Sequence, residues 1–175
     1  MLGGEDKPLR ELARDELASV RLRSYPASQA LQEAGWAVST GDHVPEHANT
    51  VVVGKIPSFD FEQRAPHWIR DLEKVKRRGG KVVLDYTDHH LGFDSPLKPF
   101  YQKALEIADR CIVSHFTLAK GLKSCGASNS PDIRVVEDLI EHEFRGPRVP
   151  SNDPTDWSAI WFGHGTNFEF LAHLC

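Results

Sequence analysis

The sequence predicts an α/β fold built on a doubly wound, mostly parallel sheet. Three observations carry this expectation. Short β-branched runs alternate with amphipathic stretches, their spacing suits strand–helix–strand units, and the central runs, Val82-Val83-Leu84 most clearly, are continuously apolar. Uninterrupted apolar strands are expected where helices cover both faces of a parallel sheet.

The elements follow in order. Leu9, Leu12, Ala13 and Leu17 form a helical face ahead of any strand. Ser24 and Pro26 open a helix with Ala27, Ala30, Leu31 and Ala34 on one side, and Gly35 stands where a left-handed cap belongs. Candidate strands are Trp36 to Thr40 and Thr50 to Val53. From Pro66, the residues Trp68, Leu72 and Val75 recur at helical spacing, Glu73 precedes Arg77 by four, and Gly79-Gly80 ends the pattern. Lys81 to Asp85 is the next strand, Phe100, Ala104, Leu105 and Ala108 the next helical stripe, and Arg110 to Ser114 the strand after it. Ser114 is expected to N-cap a helix carrying Leu118, Ala119 and Leu122 before Gly126, and Asp132 to Val136 closes the series.

The Pro- and Gly-rich segment Arg145 to Pro154 reads as a linker, which divides the chain into a domain over 1–150 and the start of another over 151–175. That second part has a strand at Ala159 to Phe162, a Gly163-His164-Gly165 turn, and a capping box, Thr166-Asn167-Phe168-Glu169, opening a helix. No strand is legible before Trp36, although a doubly wound sheet normally begins with one.

Composition excludes several function classes. Twenty-one basic against 25 acidic residues, a net charge of −4, supply no field for a nucleic acid backbone or an anionic membrane. No apolar run approaches the roughly 18 residues of a bilayer span, and Met1 to Arg10 lacks a secretory apolar stretch, so a cytoplasmic protein is the expectation. Cys111, Cys125 and Cys175 are odd in number and without C-x-x-C spacing, which indicates neither a disulfide framework nor a zinc cage.

Ligands of open parallel sheets gather outside the carboxyl ends of the strands. There this chain is polar: Gly54-Lys55, then Asp85 through His90, then Ser114-His115, then Glu137-Asp138. Asp85, Asp88, His89 and His90 are donor types that suit a divalent metal, a substrate hydroxyl, or simply a hydrogen-bonded turn. Arg21 and Arg23 precede a helix N-terminus, where guanidinium forks suit phosphate or carboxylate, or form a solvated basic turn. Lys55 either neutralises an anion or lies in solvent. Ser114 and His115 pair a hydroxyl with an imidazole, but adjacent side chains seldom face each other and no G-x-S-x-G surrounds them. Neither G-x-G-x-x-G nor a P-loop is present; the nearest feature is the glycine turn Gly163 to Asn167, which would expose backbone N–H groups to an anion.

Read together, "SVRLRSYPASQALQEAGW", "VVVGKI", "GGKVVLDYTDHHL", "ALEIADRCIVSHFTLAKGLKSCG", "IRVVEDLIE" and "WSAIWFGHGTNFEFL" follow the order of segments in glycosyltransferases of the GT-B fold, which have two facing Rossmann-like domains. The chain resembles their N-terminal domain with the first elements of the C-terminal one. The family's first strand and its glycine-bearing loop have no counterpart ahead of Ser19.

The resemblance implies transfer of a sugar from a nucleotide-sugar donor to a saccharide or other acceptor, with no cofactor and no essential metal. This part would hold the acceptor and be inactive alone. Arg21 and Arg23 would face the interdomain cleft near the diphosphate, with Lys55 and Glu137 also in the cleft. Asp85, Asp88, His89 and His115 would face the acceptor, with Asp88, His89 and His115 the candidate catalytic groups. Gly163, His164, Gly165, Thr166 and Asn167 would meet the donor phosphates. Peripheral membrane association is compatible with the family. Two other readings stand beside this one: a stand-alone Rossmann-like binding module in which residues 157–175 cover a sheet edge, and a metal-dependent hydrolase using Asp85, Asp88, His89 and His90.

Overall fold

Four parallel strands, joined by helices, form one sheet in the order β1 (Thr50–Val53), β2 (Lys81–Tyr86), β3 (Arg110–Val113) and β4 (Asp132–Val135). The computed structural model describes residues 19–56, 61–125 and 131–138. All of them belong to the compact unit Met1–Glu141; the other unit, His142–Cys175, lies outside the described residues, and so do the linker, the last strand and the glycine turn expected there.

A π-helical turn, Val20–Ser24, runs into helix α1 (Tyr25–Glu33). Helices α2 (Phe61–Arg77), α3 (Lys98–Ile107) and α4 (Phe116–Ser124) connect the successive strands. The fold is thus α/β with a parallel Rossmann-like sheet. Register aligns Val53, Leu84, Cys111 and Ile133 in one row and Tyr86, Val113 and Val135 in the next, on a single face. That face is the core. Val53, Val82, Leu84, Tyr86, Cys111 and Val113 are fully buried there, under Trp68, Leu72 and Val75 of α2, Phe100 and Ala104 of α3, and Leu118 and Leu122 of α4. Each such large apolar side chain removed from water contributes roughly 1.5–3 kcal/mol.

Strand order advances in one direction, and right-handed crossovers then set successive helices on the same face. This is the winding of one half of a doubly wound sheet. The opposite face carries Val52, which is 36% exposed, the half-buried Val83 and Ile112, and Asp85, which is buried beneath Arg23 of the π-helical turn.

Both glycine stops behave as the sequence predicts. Gly35, at φ 85°, donates to the Gln32 carbonyl while the Trp36 N–H reaches the Leu31 carbonyl; Gly79, at φ 82°, donates to Lys76 while Gly80 reaches Val75. These are the paired bonds of a Schellman cap, which needs a left-handed residue. Three expectations are corrected. Trp36 to Thr40 is not a strand: Trp36 closes the α1 cap and is 63% exposed, and the loop beyond is fastened to α2 by Asp42, whose carbonyl accepts from Trp68 Nε1 at 2.7 Å and whose carboxylate pairs with Arg64. Helix α2 starts at Phe61 rather than Pro66, because the buried Phe61 ring packs on Trp68 and Phe100 and holds a turn ahead of the proline. The N-cap of α4 is His115, not Ser114.

At the amino end of the sheet, Asp109 clasps the start of β2. Its carboxylate accepts from Val82 N at 2.9 Å and pairs with Lys76 at 2.6 Å and Lys81 at 3.3 Å. The carboxyl end is organised differently.

Candidate functional site

Every strand ends in polar or exposed residues on the carboxyl side, and the structure draws them into two ion-pair groups. The larger is built on Asp85, the penultimate residue of β2, which side-chain alternation turns away from the core row containing Leu84 and Tyr86. Arg23, from the π-helical turn, meets it with Nε at 3.0 and 2.9 Å from the two carboxylate oxygens and Nη2 on Oδ1. Its Nη1 donates to the Val136 carbonyl at 2.8 Å and to Asp138 Oδ1 at 2.7 Å, both just past β4. Burial by itself lowers the guanidinium's proton affinity, but hydrogen bonds and charge from Asp85 and Asp138 outweigh it and hold it above its ordinary value. One side chain thus ties together segments 62 to 115 residues apart.

This clamp uses four of the guanidinium's five N–H groups. Arg23, expected in the cleft beside a diphosphate, is committed to carboxylates of its own chain, and its side chain is only 7% exposed. The acidic partner beyond β4 is Asp138; Glu137, named from the sequence, is exposed beside it. Arg21 lies on the same π-helical turn as Arg23.

The second group joins the ends of β1 and β2. Lys55 Nζ lies 2.8 Å from Asp88 Oδ2, with both side chains a little under half exposed. Beyond Asp88 the chain folds around two buried tyrosines. The Tyr86 hydroxyl accepts from Leu91 N at 2.9 Å and lies 3.4 Å from His89 Nδ1. Burial pushes that hydroxyl up to about 12. The His89 ring is wedged between backbones: a Cβ on Gly92 would lie 2.4 Å from its Cδ2, and one on Gly121 of α4 would lie 3.0 Å from its Nε2. His90 stacks on Tyr101 at 4.9 Å with rings 3° from parallel, and its Nδ1 is 3.2 Å from Ser95 Oγ. Burial lowers the His90 pKa, and it raises that of Tyr101, whose hydroxyl meets the Ile56 backbone.

At the end of β3, His115 Nδ1 accepts from Leu118 N at 3.2 Å, which satisfies a helix-start donor and leaves the ring proton on Nε2. His115 therefore presents an N–H donor rather than a free basic nitrogen. Ser114 is half-buried and His115 exposed. The four donors of the hydrolase reading part company: Asp85 goes to Arg23, Asp88 to Lys55, His89 to Tyr86 and His90 to Ser95. Among the described residues no group of three or more His, Cys, Asp or Glu converges as metal ligands would.

Sequence reading found the positions but not the pairings. The clamp had a signal, alternating arginines upstream and an aspartate at the end of a hydrophobic strand, but nothing in their spacing announces contact across 62 residues. Tyr86 and Tyr101, which set the histidines, were not singled out in the sequence. Gly163, His164, Gly165, Thr166 and Asn167 lie outside the described residues. Among the described residues no helix is long and apolar enough to cross a membrane. No family model, curated protein or solved structure matches this chain.

Proposed function

We propose that this chain supplies the acceptor-holding side of a glycosyltransferase of the GT-B kind, which moves a sugar from a nucleotide-activated donor to an acceptor hydroxyl. The supporting observation is Asp88: a solvent-reached carboxylate at the carboxyl edge of a parallel sheet, oriented through Oδ2 by Lys55. At the end of the neighbouring strand β3, His115 keeps its ring N–H as a donor.

In this reading Asp88 takes the proton of the acceptor hydroxyl as its oxygen attacks the anomeric carbon, and the bond from that carbon to the diphosphate oxygen breaks. His115 binds another of the acceptor's hydroxyls rather than removing a proton, since its Nδ1 is already accepting. Charge gathers on the departing diphosphate, which needs N–H groups or cations. Arg23 is held by Asp85 and Asp138, so the proposal gives it no part at the diphosphate.

The test uses protein expressed from its whole reading frame, incubated with uridine-, guanosine- and adenosine-diphosphate sugars and pooled acceptors. Acceptor-dependent release of nucleoside diphosphate is expected from wild type, with at least a hundredfold loss in Asp88→Asn. No release from any donor, or an active Asp88→Asn protein, rejects the proposal. A second reading, a non-catalytic Rossmann-like binding module, draws on the Arg23 clamp, because a guanidinium already neutralised by two carboxylates is poorly disposed to bind a diphosphate. It expects no turnover from either protein.

A further inference from the structure

Helix α1 is turned the wrong way round for a helix that serves only its own core. Its apolar side chains recur at one-turn spacing, Ala27, Ala30, Leu31 and Ala34, which is the stripe a helix normally buries. Here all four are exposed, Leu31 at 41%, and the side that meets the rest of the protein carries Ser24 and Ser28, both buried. The same end of the helix adds Trp36, whose backbone N–H reaches the Leu31 carbonyl at 3.0 Å and which is 63% exposed. Single exposed apolar side chains are ordinary. A complete helical stripe held in solvent, with a leucine in it and a tryptophan at its end, marks a surface built to be covered.

We infer that this face docks a second copy of this chain, α1 against α1, antiparallel about a two-fold axis between Ala30 and Leu31. The inference does not depend on the glycosyltransferase reading. Three features select that occupant, and the first is charge. Helix α1 carries no acidic residue in its first turn and no basic one in its last. Instead Glu33 closes it and Arg21 stands just ahead of it, the reverse of what its own dipole favours. An antiparallel copy relieves both ends, because Glu33 of each copy comes to the positive start of the other helix and the Arg21 turn to its negative end. The second feature is shape. Pairing about that axis sets Ala27 against Ala34 of the second copy, so the backbones approach closely, and Leu31 of each enters the space left by the alanines of the other. No charged side chain lies in that seam. The third is extent: the stripe and Trp36 offer roughly 400 Å² per copy, about half of a standard interface, which suits a two-fold contact that forms and dissolves with concentration.

The experiment is sedimentation velocity on the full chain from about 1 to about 300 μM, under reducing conditions that keep the exposed Cys125 from linking chains. The expected result is a weight-average mass that climbs from one chain towards two across that range. Ala30→Glu, which sets two carboxylates face to face at the axis, and Leu31→Glu should each weaken association more than about tenfold. Glu33→Lys, outside the seam, should weaken it roughly three- to tenfold by placing a cation at the positive start of the other helix. Ala30 is exposed and glutamate is a good helix former, so the melting temperature of Ala30→Glu in dilute solution should match wild type, which excludes misfolding as the cause. A chain that stays monomeric throughout overturns the inference and leaves the stripe to another partner. A dimer indifferent to both Ala30→Glu and Leu31→Glu also overturns it, since it joins through another face. A dimer lost in those two variants but unchanged or tighter in Glu33→Lys overturns the antiparallel arrangement.

Discussion

Replacing Arg23 with Gln should strand a charge in the fold. The substitution keeps some of the side chain's length but removes the cation that meets Asp85 through Nε and Nη2, and Asp138 and Val136 through Nη1. Asp85 is 9% exposed, so its carboxylate cannot recover full hydration. Breaking a buried pair by removing one partner costs about 3–5 kcal/mol. Asp138 is half exposed and rehydrates readily, which places the expected loss near the lower end, about 3 kcal/mol. That is a large part of a typical total of roughly 5–15 kcal/mol. In a urea titration followed by tryptophan fluorescence the midpoint should fall with little change in slope, and the melting temperature should drop by roughly 6–12 °C. If the cost is the stranded carboxylate, Asp85→Asn added to Arg23→Gln should restore at least half of it, while Asp138→Asn alone should cost less than about 1 kcal/mol. A loss under about 1 kcal/mol in the single variant, or a double variant no better than Arg23→Gln, would refute the reasoning.

Other consequences are independent of the clamp. For Asp109, burial opposes ionisation, but Lys76, the Val82 N–H and Lys81 overcome it and bring the carboxyl down to about 2. A folded value below the unfolded one adds stability at neutral pH that is lost as pH falls from about 4 towards 2; Asp109→Asn should flatten that part of a stability–pH curve. Gly80→Ala should cost about 1–3 kcal/mol in denaturant titration, because its Cβ would meet Val75 Cγ1 at 2.7 Å and the Asn49 and Val75 carbonyls at 3.0 Å. Gly35→Ala has open space and should cost only the left-handed backbone, about 1 kcal/mol. Peptide mapping after brief alkylation at pH 8 should find Cys125 modified and Cys111 intact, since Cys111 is buried and its thiol is pushed up to about 12. Asp88→Asn should leave stability within about 0–1 kcal/mol of wild type, as expected for a solvent-reached ion pair.

The strands from β1 to β4 were legible because each is a short β-branched run between strong helix signals, and the helix ends because Gly35 and Gly79-Gly80 sit where only left-handed backbone closes the cap. Trp36 to Thr40 misled because Trp36 and Val38 carry strand propensity, while Trp36 closes the α1 cap on Leu31 and the loop beyond is attached to α2 through Asp42, a contact that is not local sequence information. Ser114 was the better cap by residue type, yet the imidazole of His115 fills that role, with its backbone extended at φ −155°. In the candidate site, strand-end position identified Lys55, Asp85, Asp88 and His89. Partner choice was hidden. Whether an arginine grips a ligand or its own chain depends on which carboxylates the sheet brings beside it, and Asp85 and Asp138 lie on either side of β3 in the sequence.

The central claim, that the carboxyl edge of this sheet receives a saccharide, is tested most directly by residue-resolved amide NMR during titration with hexopyranosides and short oligosaccharides. Saturable shifts confined to residues 54–56, 87–93, 114–118 and 136–138 are expected, with Asp88 among the largest. Shifts centred on the amino end of the sheet around Asp109, or on the exposed face at Val52 and Ile112, would contradict it, as would a spectrum that no saccharide changes.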